Sequence, residues 1–287
     1  MLNLDNLLVC LDGTNLDDNL LEYASMMVGF FNNRKTTFIH VAPTNMDTKL
    51  HHELKAKVDA KFKVDCEKEV VVIQGTGANH ILGWEGLKDI DLVVLGIKPR
   101  SISTGVNATK VLNGSLCSVM LVPVTDKFEV NRVLIPLDFS ENSLRSLNTA
   151  LRIKEHTDIK IFLQHVYFVP TGYSSTGKTY EEFAEIMLKN KKNEYEAFKK
   201  QNDLDDSKFE VIFTLDNDQK PSDNIYEMAQ EKNVDLIIIA SKGRTKAASM
   251  LLGSTAVSLV HYDEDVPCLV VKDKNESMSF FDALLKI

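Results

Sequence analysis

The stretch VLIPLDFSENSLRSLNTALRI, residues 133–153, repeats the pattern of an earlier stretch, LLVCLDGTNLDDNLLEYASMM, residues 7–27. Each begins with a short apolar run, continues with Leu-Asp and a turn, and ends in apolar residues spaced three and four apart. The apolar run is typical of a buried strand, and the spacing after it predicts an amphipathic helix. Both stretches are therefore predicted as strand–turn–helix units, in which Asp12 matches Asp138 and Thr14 matches Ser140.

Three further matches follow in the same order along the chain, which makes coincidence a poor explanation. They are TTFIHVAPT (36–44) with IFLQHVYFVPT (161–171), DLVVLG (91–96) with DLIIIA (235–240), and VMLVP (119–123) with CLVVK (268–272). Short β-branched runs that alternate with helical patterns predict a five-stranded parallel sheet in each half. The fold class is therefore α/β: two flavodoxin-like or Rossmann-like domains, each a five-stranded parallel sheet flanked by helices.

The repeat also predicts where the domains divide, because the polar stretch 125–131 separates its two copies. We expect one domain over residues 1–126 and a second over 130–273. The second copy carries an insertion of roughly twenty residues between its second and third strands, which reads as a loop followed by a long amphipathic helix. Residues 274–287 are predicted as an amphipathic tail.

Composition excludes several classes of partner. Among 287 residues, 33 Lys and Arg stand against 41 Asp and Glu, a net charge of −8, whereas nucleic acids and anionic membranes select basic surfaces. None of the four cysteines is paired at C-x-x-C spacing, which favours a reduced, cytoplasmic protein. The N-terminus lacks the basic region of a signal peptide, and no apolar stretch approaches the ~20 residues of a membrane span. We expect no nucleic acid, no membrane and no bound metal.

A ligand site is predicted where strand order reverses, between the first and fourth strands of a copy. In the second copy the first strand ends at Pro136 and Asp138, and the fourth ends at Ala240. Loop glycines let a backbone approach a ligand closely, and a helix start offers free N–H groups to a phosphate. The residues after the fourth strand that provide these features are Gly243, Arg244, Gly253, Ser254 and Thr255, with Lys242 and Lys246 adding positive charge.

At these residues the chain resembles the universal stress protein family, as a tandem of two such domains. The family pattern G-x2-G-x9-G-S/T corresponds to Ala240-x2-Gly243-x9-Gly253-Ser254, with Ala240 in place of the first glycine. The resemblance implies a site for ATP or another adenine nucleotide, with Mg²⁺ as an optional companion. It places Asp138 at the ribose or the base amine and the backbone of Val166 at the adenine.

The first copy departs further from the pattern. It reads Gly96-x2-Pro99 and then Gly105-Val106, which leaves too short a loop, and Pro99 supplies no N–H. We therefore expect no nucleotide in the first copy through this loop. The resemblance implies that it pairs with the second copy through their last strands.

A second phosphate-binding signal lies in the insertion, where residues 172–179, GYSSTGKT, match G-x-x-x-x-G-K-[ST]. A weak ATPase would use Lys178 for the phosphates and Thr179 for Mg²⁺, with Gly177 in the loop. The same residues could instead form a secondary phosphate contact or an ordered surface loop. No later apolar strand ends in the aspartate that such an ATPase needs.

The sequence leaves three functional hypotheses. The first is a cytoplasmic regulatory protein of the stress response that binds ATP in its second half without demanding catalysis. The second is the weak ATPase, and the third is a ligand-free scaffold for an unknown protein partner. A further homodimer stays open. His40 and His165 are interpreted as hydrogen-bonded core residues, and the adjacent His51 and His52 point too far apart on a helix to share a metal ion.

Overall fold

A computed structural model describes residues 4–43, 48–97, 108–242, 253, 255–256, 258 and 266–274. In this part of the chain ten strands form one sheet, in the order β3-β2-β1-β4-β5-β10-β9-β6-β7-β8. The strands are β1 (Asn6–Leu11), β2 (Lys35–Ala42), β3 (Glu67–Gln74), β4 (Leu92–Gly96), β5 (Ser118–Val122), β6 (Arg132–Pro136), β7 (Lys160–Tyr167), β8 (Glu210–Leu215), β9 (Leu236–Ala240) and β10 (Cys268–Val271).

Helices connect successive parallel strands, as crossover connections require. Those in the described residues are α1 (Leu16–Phe31), α2 (Thr48–Lys61), α3 (Ala78–Leu87), α4 (Ala108–Gly114), α5 (Glu141–Lys154), α6 (Tyr180–Asn202) and α7 (Pro221–Glu231). None of the helices in this part of the chain is both long enough and apolar enough to cross a membrane.

Each half of the sheet is parallel and has the strand order 3-2-1-4-5 of a doubly wound fold. The fold-class prediction is therefore confirmed. The two halves meet where β5 pairs antiparallel with β10, with Leu121 opposite Cys268 and Val119 opposite Val270. The sheet thus runs without interruption from the N-terminal half, before residues 125–131, into the C-terminal half after them.

The strands are apolar because both faces of the sheet are covered. Alternate residues of β6 show this: Val133 and Ile135 belong to the core under α1, α2, α5 and α6, whereas Leu134 belongs to the core under α3, α4 and α7. Both cores extend across the two halves. The predicted tail, 274–287, lies outside the described residues apart from Lys274, whose ammonium group is 3.1 Å from the Asp91 carboxylate.

The inserted segment is a loop followed by the 23-residue helix α6, as its sequence pattern predicts. It includes a short 3-10 turn at Tyr173–Thr176. Tyr195 and Phe198 of α6 are buried in the core, so the inserted helix is a packed layer of the C-terminal half.

Candidate functional site

A cavity of about 260 Å³ lies at the carboxyl ends of β6 and β9, where the strand order of the C-terminal half reverses. Its lining comes from the ends of β6, β7 and β9, from the starts of α5 and α7, and from the helical residues 255–256. The described lining residues are Pro136, Leu137, Asp138, Ser143, Gln164, His165, Val166, Pro221, Ile225, Ile239, Ala240, Lys242, Gly253, Thr255 and Ala256.

Seven of the residues singled out from the sequence for a ligand site line this cavity: Pro136, Asp138, Val166, Ala240, Lys242, Gly253 and Thr255. Gly243, Arg244 and Ser254 lie outside the described residues, as does Lys246. The tertiary structure therefore brings together residues up to 120 positions apart in the chain, because parallel strands present their carboxyl ends at one edge.

Two hydrogen bonds between residues close in sequence hold the turn that carries Asp138. The Asp138 carboxylate accepts from Ser140 N at 3.0 Å, and the Ser140 hydroxyl accepts from Ser143 N at 3.2 Å, which caps the start of α5. The same turn occurs in the N-terminal half, where the Asp12 carboxylate accepts from Thr14 N at 2.9 Å. Asp138 is thus held in a local structure that both copies share.

The residue before Asp138 is held from the neighbouring strand. Leu137 N donates to Gln164 O at 2.8 Å, and the Leu137 carbonyl accepts from Nδ1 of His165 at 2.7 Å. His40 makes the equivalent bond to the Leu11 carbonyl at 3.0 Å. Both histidines are therefore hydrogen-bonded at matching places, as the interpretation of the sequence expected.

The backbone of Val166 faces the cavity side of β7. The last register pair of β6 and β7 is Pro136 with Gln164, whose carbonyl points toward β6. Residues two apart on a strand direct their backbone groups to the same side. The N–H and C=O of Val166 therefore point past the end of β6, where an adenine edge would offer one acceptor and one donor.

Residues of opposite charge line the cavity, Asp138 after β6 and Lys242 after β9. Gly253 lies beside the end of β9, because Gly253 N donates to Ser241 O at 2.8 Å. The first and third positions of the predicted glycine pattern, Ala240 and Gly253, are thereby neighbours at one cavity wall.

At the corresponding place in the N-terminal half, the Leu16 side chain packs against Gly96 at the end of β4. A β-carbon on Gly96 would collide with the side chain of Leu16, which is buried in the core. Asn142 is the matching residue of the C-terminal half. The residues on which the prediction for the first copy depends, Pro99, Gly105 and Val106, lie outside the described residues, so the absence of a nucleotide there stays a prediction.

The residue after Leu16, Asp17, is a buried carboxylate. Asp17 accepts hydrogen bonds from Asp12 N at 2.9 Å and Gly13 N at 3.2 Å, and Lys57 lies 3.6 Å away. Burial raises the pKa of the Asp17 carboxyl above its usual value, although these partners oppose the rise. The C-terminal half has the smaller Ser143 at this position, and Ser143 lines the cavity.

The P-loop-like segment has a different geometry from a phosphate site. Thr179 caps α6 by accepting from Glu182 N at 3.2 Å, and the Glu182 carboxylate accepts from Thr179 N at 2.9 Å. A carboxylate thus occupies the helix start that a phosphate would need. Gly177 and Lys178 are exposed, and the described lining of the cavity includes neither of them nor Thr179.

The sequence did not single out Gln164, Ser143, Pro221 or Ile225, which also line the cavity. The sequence feature that could have identified Gln164 is its amide side chain inside the largely apolar run IFLQHVYF, residues 161–168. For a metal, the described residues contain no group of three or more His, Cys, Asp or Glu placed to bind one.

Comparisons with known proteins place these observations in a family. The model of the Universal stress protein family matches residues 129–272, about half of the chain. Universal stress protein MJ0577 of Methanocaldococcus jannaschii is 32% identical over 162 residues, which cover 50% of this chain and 96% of that protein.

Solved structures match the fold of both halves together. PA1789 from Pseudomonas aeruginosa PAO1, described as functionally unknown, covers 99% of this chain and 98% of its own, with a TM-score of 0.72 and 13% identity. A universal stress protein from Archaeoglobus fulgidus covers 94% of this chain and 98% of its own, with a TM-score of 0.59 and 17% identity. At these identities the likeness shows the fold alone.

Proposed function

The chain belongs to the universal stress protein family, and we propose that its C-terminal half binds an adenine nucleotide, with ATP as the first candidate. The observation that carries this proposal is the cavity between β6 and β9. It combines the acidic Asp138, the outward-facing backbone of Val166 and the basic Lys242 at one sheet edge. Each of these groups suits a different part of a nucleotide.

In this proposal Asp138 accepts a hydrogen bond from a ribose hydroxyl, and the Val166 backbone meets the adenine edge. Lys242 and Thr255 hold the phosphates, together with Gly243, Arg244, Gly253 and Ser254 of the glycine pattern. Any Mg²⁺ would accompany the phosphates, because that cation binds phosphate oxygens and water. Pro136 and Ala240 contribute the apolar walls.

We propose a regulatory role for this binding, in which an occupied cavity changes the protein's association with a protein partner or with a second copy of the chain. Residues 1–126 then form the nucleotide-free domain and 130–273 the binding domain, in the cytoplasm. We propose no ATPase function for residues 172–179, because Thr179 and Glu182 cap the helix start at which an ATPase would bind phosphate.

Isothermal titration with ATP tests the proposal on a matched pair of variants. Asp138→Asn keeps the acceptor for Ser140 N but removes the charge, whereas Asp12→Asn makes the same change in the matching turn of the N-terminal half. Because a hydrogen bond to a charged group contributes about 1.5–3 kcal/mol, we expect Asp138→Asn to weaken ATP binding by at least about tenfold.

Asp12→Asn should bind ATP as the unmodified protein does. No heat of binding at millimolar ATP would refute the proposal. Equal weakening by both variants would show that the carboxylates act through stability instead of through contact with the ligand.

A further inference from the structure

A buried amide in the cavity wall differs in kind between the two copies. Gln164 is 1% exposed and lines the cavity, while the matching residue of the N-terminal half is Ile39, also buried. Thr214, on the adjacent strand β8, likewise matches Ile73 on β3. The N-terminal half therefore has an apolar pair of residues where the C-terminal half has a polar pair.

Hydrogen bonds determine which way the Gln164 amide faces. Its Nε2 donates to the Thr214 hydroxyl and to the Asn224 carbonyl, both at 3.0 Å. A carbonyl oxygen only accepts, so the amide nitrogen must be the atom on that side. Both partners lie toward β8 and α7.

The amide oxygen is thereby directed away from the Thr214 hydroxyl and the Asn224 carbonyl, and Gln164 itself lines the cavity. Within the described part of the chain, Gln164 Oε1 is buried and accepts no hydrogen bond. A buried acceptor without a donor is costly, and native proteins rarely keep one without a reason. The orientation and the missing donor together indicate that this oxygen awaits a donor from a ligand.

We propose that Gln164 is the residue that selects the base, by accepting a hydrogen bond from the exocyclic amino group of adenine. This inference rests on the proposed nucleotide site and adds its specificity. Guanine and hypoxanthine carry a carbonyl oxygen at the same ring position, which would face Oε1 with a second acceptor. The site therefore takes a 6-aminopurine nucleotide and rejects 6-oxopurine nucleotides.

The test compares ATP with purine riboside 5′-triphosphate, which lacks only the amino group. Dissociation constants for both, measured by titration calorimetry on the unmodified protein, should differ by about tenfold or more, because a buried acceptor is then left unpaired. In Gln164→Met, of similar size but without the amide, the ratio should fall several-fold, and the part that remains belongs to the Val166 carbonyl, which accepts the other amino hydrogen.

Thr214→Val is the matched control. It removes one partner of Nε2 but leaves the Asn224 carbonyl and Oε1 in place, so the ratio should stay near that of the unmodified protein. A purely structural Gln164 would change the affinity for both nucleotides equally and leave the ratio as it was.

The outcomes separate the two proposals. Failure of the unmodified protein to bind ATP refutes the nucleotide site itself, whereas ATP binding with a ratio near one refutes only the role of Gln164. A ratio that stays unchanged in Gln164→Met would also refute that role and assign the amino group to the Val166 carbonyl alone. Should Gln164→Met not fold, loss of the ratio in Asp138→Asn would refute it equally.

Discussion

At the scale of single residues, Phe139, which follows Asp138, has a strained backbone conformation. Phe139 has φ +62°, in the left-handed region, where the first copy has Gly13 at φ +77°. The Phe139 ring stacks on His165 with centroids 4.2 Å apart and packs against Phe198 at 5.7 Å. These contacts offset a backbone strain of about 1–2 kcal/mol.

We therefore expect the glycine variant to be more stable than the alanine variant at position 139, the reverse of their order inside a helix. Phe139→Ala keeps the strain and loses the packing, for a loss of about 2 kcal/mol in the free energy of unfolding. Phe139→Gly also loses the packing but relieves the strain, so it should be about 1 kcal/mol more stable than Phe139→Ala. Urea unfolding of both variants measures the difference.

Ala150→Gly inside α5 provides the comparison with ordinary behaviour, since glycine there should destabilise by about 1 kcal/mol. If glycine were also less stable than alanine at position 139, the left-handed conformation would not be the native one.

At the scale of elements, the inserted helix α6 is a structural layer with its own start signal. Thr179 and Glu182 form a reciprocal capping box at its first turn. Further along, Tyr195 is buried and donates to the Asp206 carboxylate at 2.6 Å, and burial together with this acidic partner raises the pKa of its hydroxyl. The segment that matched a phosphate loop in sequence thus serves to begin a helix.

Two neighbouring substitutions separate these roles. Thr179→Ala should lower the free energy of unfolding by about 1 kcal/mol, because it removes the cap of α6. Lys178→Ala, at an exposed position, should change it by less than about 0.5 kcal/mol. Both should leave ATP affinity unchanged in calorimetry. Steady ATP turnover that disappears only in Lys178→Ala would instead establish the ATPase hypothesis.

At the scale of the whole molecule, one lysine reaches from one half into the other. Lys272 follows β10, yet its ammonium group donates to the Ser115 carbonyl at 2.7 Å and the Leu112 carbonyl at 2.5 Å, at the end of α4. Burial lowers the pKa of Lys272 to about 8, with the positive charge of Lys242 acting in the same direction and Cys117 and Glu85 opposing it.

This lowered pKa makes stability depend on pH in a defined direction. Below pH 8 the lysine is protonated in the folded and the unfolded chain alike. Above pH 8 the folded state releases the proton while the unfolded state, whose pKa is 10.5, still binds it. Stability from this group therefore rises with pH from about 8 up to about 10.5.

We expect the free energy of unfolding of the unmodified protein, relative to Lys272→Met, to rise by about 1 kcal/mol between pH 7 and 9. The difference between the two proteins cancels the buried thiols and tyrosines, such as Cys10 and Tyr23, whose raised pKa values act in the opposite direction. Urea unfolding at several pH values is the measurement.

Lys274→Met is the control, because the Asp89 and Asp91 carboxylates raise the pKa of Lys274. That lysine stays protonated in both states throughout the interval, so its difference curve should be flat. A flat curve for Lys272→Met as well would contradict the buried, proton-releasing state.

Much of this architecture was predictable from short-range patterns. The apolar run before Asp138 and the spacing after it predicted β6 and α5, and the repetition of that unit predicted two parallel sheets of one design. The amphipathic spacing of the insertion predicted α6. Such patterns are readable because a strand or helix buries the same residues wherever it lies in the fold.

The site was predictable only in part. Asp138, Ala240 and Gly253 were found because they follow strands at a recognisable spacing. Gln164 was not, because a lone amide in an apolar run has no meaning until its partners on β8 and α7 are known. The packing of Leu16 against Gly96 was equally unpredictable, because a leucine in a helix has the pattern of an ordinary core residue.

The sequence by itself determined the α/β class, the repeat and the residues at strand ends, because hydrophobic periodicity and turn chemistry are local. Tertiary structure alone decided which residues line the cavity of the C-terminal half, which way the Gln164 amide faces, and that Lys272 of one half completes a helix end of the other. Those features depend on contacts between segments distant in the chain, and local spacing carries no record of them.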